Sequence, residues 1–111
     1  MDSKICRGDI WWVSLDPTQG SEIKKTRPCL VISSDILNDL RNTVIVIPLS
    51  TAAKSHPPIT VSISCQNKSV VAIIDQVRAV AKHRLKSKIE TITQTNLRKI
   101  ISSLSAILEI S

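Results

Sequence analysis

Short apolar runs and alternating apolar and polar residues cover most of the chain, and both patterns are typical of β-strands. Segments rich in Pro, Gly, Asn or Ser separate these runs and mark turns. The sequence predicts strands at residues 10–15, 29–33, 43–47, 59–64 and 70–74. The third strand is apolar on both faces, so we expect it in the centre of the sheet. The fourth alternates and should have one face in water.

The C-terminal segment changes to the spacing of three and four residues that an amphipathic helix requires. Thr93 or Thr95 can cap its N-terminus. Its apolar positions are Leu97, Ile100, Ile101, Leu104, Ile107 and Leu108. A single helical turn also fits within residues 34–42. The pattern predicts a mainly β fold, a small barrel-like sheet with a C-terminal α-helix, in one domain that spans residues 1–111.

A polar loop of about a dozen residues, longer than most connections between strands, covers residues 16–27. Long loops in small domains are often functional. The loop ends in the basic run Lys-Lys-Thr-Arg, and Pro28 restricts the backbone of Arg27 where the chain enters the second strand. A guanidinium held there can bind a phosphate through two parallel hydrogen bonds. Judged from these residues alone, a solvated basic loop is the simpler interpretation.

Two hydroxyl residues follow the third strand. Pro48 cannot donate a hydrogen bond to a neighbouring strand, so it should mark a strand end or a bulge. Ser50 and Thr51 are therefore expected at a strand-to-loop junction, where either hydroxyl can donate to a phosphate oxygen. A Ser-Thr pair after proline is also ordinary turn chemistry. His56 lies in a Ser-His-Pro-Pro turn, which favours exposure over a catalytic role.

The two tryptophans are the only aromatic residues, because the chain has no Phe and no Tyr. Trp11 should belong to the core. Trp12 points to the other face and is either a half-buried packing residue or a stacking surface for an unpaired base. A sheet that recognises RNA through several aromatic side chains is excluded.

The chain has a net charge of +6, which suits a polyanionic partner such as nucleic acid. It contains no Gly-rich phosphate loop and no paired His or Cys spacing for a metal, so we expect catalysis without a cofactor. Cys6, Cys29 and Cys65 are odd in number and far apart, which indicates free thiols in a reducing cytosol. No apolar segment resembles a signal or membrane span, so we expect a cytoplasmic protein.

Five motifs, taken in order, resemble the MazF/PemK family of toxins from type II toxin–antitoxin systems. They are RGDIWWV at residues 7–13, DPTQGSE at 16–22, TRPCLVIS at 26–33, VIPLST at 46–51 and IDQVRAV at 74–80. Together they cover about residues 5–110. The resemblance implies a PemK/CcdB-like fold, which is an SH3-like barrel with a C-terminal helix. It also implies a homodimer whose interface groove receives single-stranded RNA.

The resemblance further implies an mRNA interferase that cuts single-stranded RNA at short sequences, and an acidic antitoxin of the MazE type that blocks the groove. The family's active-site arginine falls on Arg27 and its loop glutamate on Glu22. Its active-site hydroxyl falls on Ser50 when counted from Pro48, and on Thr51 when the residue type is kept. We expect RNA to contact Trp12, Lys24, Lys25, Thr26, Lys54, Gln76 and Arg78.

RNA carries its own nucleophile, because the 2′-hydroxyl can attack the adjacent phosphorus and leave a 2′,3′-cyclic phosphate. No metal-activated water is then required. We expect Arg27 and one hydroxyl to hold the phosphate, Glu22 to assist deprotonation, and Arg27 either to stabilise the developing charge or to protonate the leaving oxygen. Two other functions stay open: a gyrase poison of the CcdB type, which shares the fold and binds a protein target, and a barrel that binds RNA without cutting it.

Overall fold

The structure is a computed structural model that describes residues 4–15 and 25–110. These residues form seven strands, two α-helices and two 3₁₀ turns, at Ile74–Gln76 and Lys82–Arg84. The strands are β1 (Asp9–Leu15), β2 (Lys25–Val31), β3 (Thr43–Ser50), β4 (Thr60–Cys65), β5 (Lys68–Ile73), β6 (Arg78–Ala81) and β7 (Leu85–Thr91). The helices are α1 (Asp35–Leu40) and α2 (Gln94–Leu108). The five predicted strands and both predicted helical segments are confirmed.

The strands form one antiparallel sheet in the order β4-β5-β3-β2-β1-β7, with β6 paired to β3. The expected central position of β3 is confirmed, because it pairs with β2 on one edge and with β6 and then β5 on the other. Pro48 lies inside β3, so of the two predictions for it, a strand end or a bulge, the strand end is wrong. Pairing with β6 stops at Val46 and pairing with β5 starts at Leu49. A residue without an N–H therefore interrupts neither ladder.

The two outer strands, β4 and β7, approach each other without pairing among the described residues, so the sheet is barrel-like but not closed. The gap is spanned by a side chain: Glu90 on β7 accepts a hydrogen bond of 2.9 Å from the backbone N–H of Gln66, in the β4–β5 turn. Gln66 and Asn67 have φ angles of 52° and 62°, which suits a tight hairpin turn and confirms the predicted turn.

Two apolar clusters lie on the two faces of the sheet, because neighbouring residues of a strand point in opposite directions. Ile10 belongs to one cluster, which α2 covers with Leu97 and Ile100. Trp11 belongs to the other and is 5% exposed, as expected of a core residue. Trp12 is 42% exposed. Thr93 caps α2 by accepting a hydrogen bond from the N–H of Asn96, which decides between the two predicted caps.

β7 was not predicted from the sequence. Apart from Leu85 and Ile89 its residues are polar, and three of them are charged. The strand forms on tertiary contacts with β1, and its register contains two shifts beside Trp11 and Trp12. Neither helix of the described residues is long and apolar enough to cross a membrane.

The carboxylate of Asp9, the first residue of β1, binds two residues of the outer strand β7. Asp9 is 1% exposed. It accepts hydrogen bonds from the Cys6 N–H at 2.9 Å, the Trp11 indole at 3.2 Å and the Thr91 hydroxyl at 3.0 Å. The ammonium of Lys88 lies 3.3 Å away. All of these groups lose their acceptor if the carboxylate is removed.

We expect Asp9→Ala to lower the free energy of unfolding by about 3 kcal/mol, because it leaves buried donors unsatisfied. Urea denaturation followed by tryptophan fluorescence measures the change. Asp39→Ala is the matched control, since Asp39 is exposed on α1, and it should change stability by less than about 0.5 kcal/mol. Equal effects of the two substitutions would contradict a structural role for the Asp9 carboxylate.

Candidate functional site

Arg27 lies inside β2, not at its entrance as predicted, because the strand already begins at Lys25. Its register partner on β1 is Val13. On the other side of β2, Cys29 pairs with Pro48, and two residues further along the same register Arg27 comes level with Ser50. The predicted arginine and the first of the two predicted hydroxyl residues are therefore neighbours across adjacent strands. The Arg27 side chain is half-buried.

An open cleft of about 320 Å³ lies at this end of the sheet. It brings together four of the predicted site residues, with the exposed Trp12 on one side and the hydroxyl residues on the other. The lining residues are Trp12, Arg27, Pro28, Leu49, Ser50, Thr51, Ala52 and Val70. The cleft therefore combines a cation, two hydroxyls and an indole over an apolar floor.

The hydroxyls of Ser50 and Thr51 differ in their surroundings. The Ser50 oxygen accepts hydrogen bonds from the backbone N–H groups of Ala52 and Ala53, both at 3.1 Å. These two bonds hold the side chain in place and occupy its acceptor capacity, so its proton is left to donate. Thr51 is exposed, and no other described residue forms a hydrogen bond with its hydroxyl.

Several predicted RNA-contacting residues lie outside the cleft. Thr26 is exposed on β2 opposite Ser14. Lys54 is exposed in the loop after β3, where its carbonyl accepts a hydrogen bond from Thr60. Gln76 is exposed at the end of a 3₁₀ turn. Glu22 and Lys24 lie outside the described residues, and Lys25 is described only as the first residue of β2.

Arg78 stands at the start of β6 opposite Val46 and is exposed. Burial raises the pKa of the nearby Cys29 thiol to about 12, and the positive charges of Arg27 and Arg78 oppose that effect. Both guanidiniums therefore lie close enough to the Cys29 sulfur to act on it. No carboxylate of the described residues forms an ion pair with either arginine, so two cations converge on this part of the sheet.

The apolar floor was missed from the sequence. Pro28, Leu49 and Val70 line the cleft, but an apolar residue at or near a strand end has the same pattern whether it faces the core or a cleft. His56 is exposed, as expected, and forms an isolated bridge with Thr60 that shapes the turn.

The chain matches the family of PemK-like, MazF-like toxins of type II toxin–antitoxin systems over residues 6–108. It belongs to this family. Among the relatives of this PemK/MazF-family chain is the endoribonuclease toxin MazF of Escherichia coli strain K12, which is 32% identical over 91% of each chain. The endoribonuclease MazF of Staphylococcus epidermidis is 31% identical and the match covers 90% of this chain and 88% of the relative.

Solved structures of the family have the same fold. The MazE–MazF structure from Deinococcus radiodurans matches with a TM-score of 0.85 and 23% identity, covering 99% of this chain and all of that one. A mycobacterial endoribonuclease in complex with its cognate antitoxin matches with a TM-score of 0.79 and 18% identity, covering 96% and 97% of the two chains. These similarities confirm the predicted barrel-like fold with a C-terminal helix.

The buried Cys29 thiol should make stability fall in alkaline solution. Its pKa is about 12 in the folded chain against an ordinary value of 9.0. Between these two values the unfolded chain loses the proton and the folded chain keeps it, so rising pH favours unfolding. The contribution approaches about 1.4 kcal/mol per pH unit. Urea denaturation at several pH values should show a shallower alkaline decline for Cys29→Ala, and parallel curves would contradict the assignment.

Proposed function

We propose that this chain is an mRNA interferase that cuts single-stranded RNA without a metal, at the cleft that holds Arg27 and Ser50. Endoribonuclease activity follows from membership of the PemK/MazF family and from relatives with that named activity, 30–32% identical over at least nine-tenths of this chain. The same relatives disfavour the gyrase-poison alternative. The observation that carries the site assignment is the register that aligns Arg27 with Ser50 beside the exposed Trp12.

The cleft suits in-line attack by a ribose 2′-hydroxyl on the neighbouring phosphorus. The phosphate gains negative charge as the new bond forms, and the half-buried guanidinium of Arg27 can donate to two of its oxygens. The 5′-oxygen leaves with a proton that Arg27 can donate, and the product is a 2′,3′-cyclic phosphate. Because the nucleophile belongs to the substrate, the protein needs to orient it and stabilise charge. The exposed Trp12 offers a flat surface for a flanking base.

Ser50 is the better candidate for the phosphate-binding hydroxyl. Its oxygen already accepts two backbone hydrogen bonds. It can therefore offer a phosphate only its proton, which is what an anionic oxygen requires. The two bonds also hold it in place before the substrate arrives, and such preorganisation lowers the cost of reaching the transition state. Thr51, exposed beside it, would need to be ordered on binding.

None of the other predicted site residues that the structure describes lines the cleft, and two more, Glu22 and Lys24, lie outside the described residues. Glu22 follows the family's loop glutamate and can accept the 2′-hydroxyl proton, since an arginine is a poor proton acceptor. Lys24, Lys25, Thr26, Lys54, Gln76 and Arg78 are proposed to contact the flanking nucleotides. For Arg78 the support is its position beside Cys29, together with Arg27.

The proposed assembly is a homodimer in the cytosol, where its mRNA substrate is found, with an acidic antitoxin as partner. Exposed apolar side chains on α1 and at the C-terminus support self-association: Ile36, Leu40, Leu108 and Ile110 are 73%, 77%, 52% and 61% exposed. Such residues are more often covered by a partner when they are clustered. Sedimentation of the purified protein tests the dimer, and a monomer at micromolar concentration would rule it out.

Structural neighbours solved with antitoxins support an antitoxin as the partner.

The test of the function is cleavage of a long single-stranded RNA in excess EDTA. Wild-type protein should produce fragments that end in a 2′,3′-cyclic phosphate. Arg27→Ala should lower the cleavage rate at least about 100-fold, because it removes a charged donor to the transition state. Glu22→Gln should also lower the cleavage rate, because it removes the proposed proton acceptor. Intact RNA with wild-type protein, or an unchanged cleavage rate with Arg27→Ala, would contradict the proposal.

The choice between the two hydroxyls is tested in the same assay. Ser50→Ala should lower the cleavage rate about 100-fold, because it removes a preorganised donor. Thr51→Val keeps the shape of threonine without its hydroxyl and should change the rate only a few-fold. Ser50→Thr is the matched control, since it keeps the hydroxyl and should restore most of the activity. The reverse order of the Ser50→Ala and Thr51→Val effects would assign the role to Thr51.

A further inference from the structure

A basic segment lies beside Trp12 on the side of β1 away from β2, and none of the five motifs includes it. Residues 82–88 contain four Lys or Arg residues and no acidic residue. They form a 3₁₀ turn and the first half of β7. β7 pairs with β1, and Ser87 is the register partner of Trp12. The segment is therefore the immediate neighbour of the indole that lines the cleft.

Of the four cations in this segment, Lys86 is the one best placed to meet a ligand, and Lys82 is half-buried. Lys88 lies 3.3 Å from the buried Asp9 carboxylate. Arg84 donates to the carbonyl of Ser14 at 3.3 Å. Lys86 is exposed, and its ammonium donates to the His83 carbonyl at 3.3 Å. That bond uses one of three N–H donors, so two are left for a phosphate.

A β-bulge turns Lys86 outward. Leu85 pairs with Val13 and Ser87 pairs with Trp12, so Lys86 has no partner on β1. A bulge of this kind redirects a side chain, and bulges are frequent next to active sites. Leu85 is buried in the core beside Val13, whereas Lys86 and Ser87 are exposed. The irregular register therefore presents an ammonium and a hydroxyl at the edge of the cleft.

We propose that Lys86 and Ser87 form a second phosphate subsite, which holds the RNA backbone beyond the base that stacks on Trp12. This inference rests on the proposed function. β7 lies two strands from β2, a separation of about 10 Å at the usual strand spacing. The subsite is therefore separate from Arg27, and an RNA strand that leaves the catalytic phosphate along the sheet passes Trp12 before it reaches Lys86.

A subsite outside the reacting centre predicts an effect on binding and none on the chemical step. Binding is measured by anisotropy of a labelled single-stranded RNA that is 2′-O-methylated throughout and cannot be cut. Lys86→Gln should weaken binding about fivefold and reduce the slope of log affinity against log salt by about 0.7, the value for one lost contact to single-stranded nucleic acid. Lys86→Arg should bind like wild type.

Cleavage kinetics supply the second measurement. With an RNA that extends on both sides of the cleaved bond, Lys86→Gln should raise KM about fivefold and leave kcat unchanged, as expected for a contact equal in ground and transition states. Two shorter RNAs, each lacking the nucleotides on one side of the cleaved bond, are then compared. With one of them, the KM of Lys86→Gln should equal that of wild type. Ser87→Ala should act in the same direction with a smaller effect.

Arg98→Gln is the matched control. Arg98 is an exposed cation on α2. It lines a groove with Arg7, which precedes the first residue of β1, and this groove is separate from the cleft. The two substitutions remove the same charge, so equal losses of affinity would show a general effect of net charge and overturn the subsite. A lowered kcat for Lys86→Gln, or an unchanged salt slope, would also overturn it. Failure of the proposed function is distinguishable, because wild-type protein would then leave cleavable RNA intact while binding is measured on the methylated RNA.

Discussion

Strand register is the constraint on which the cleft depends. Val13 on β1 pairs with Arg27 on β2, and the β2–β3 register, continued two residues past the Cys29–Pro48 pair, brings Ser50 level with Arg27. Because side chains alternate between faces, a slip of one residue in β2 would turn both Arg27 and Cys29 to the opposite face and put Thr26 or Pro28 level with Ser50. The register is held by apolar residues on both faces of these strands, which belong to two separate clusters. The stability of the core and the geometry of the site therefore have the same origin.

Side chains complete the sheet where backbone pairing stops. Glu90 connects β7 to the β4–β5 turn, and Asp9 connects β7 to the residues before β1. Burial, reinforced by the charge of Glu90 and its hydrogen bond, raises the pKa of the Cys65 thiol. These carboxylates hold an outer strand that has too few apolar residues to be held by packing alone. The bulge in β7 leaves Lys86 exposed and without a partner on β1, next to the Ser87 that pairs with Trp12.

The groups that line the cleft stand on rigid parts of the fold. Ser50 is held by two backbone donors, and Arg27 lies in the middle of a paired strand. Both groups are positioned by the fold before any substrate arrives. Trp12 also stands on a paired strand and keeps 42% of its surface exposed. A site for a flexible, anionic chain benefits from such an arrangement, because the substrate already loses much conformational freedom on binding.

The sequence by itself determined five of the seven strands, both helical segments and the core position of Trp11. Each of these follows from local periodicity or from a motif of neighbouring residues. Only the tertiary structure decided that Pro48 lies within a strand, that β7 exists, and that Arg27 stands level with Ser50. It also distinguished Ser50 from Thr51 through two backbone donors. The physical reason is that these features depend on pairing between residues far apart along the chain, where register and burial override local propensity.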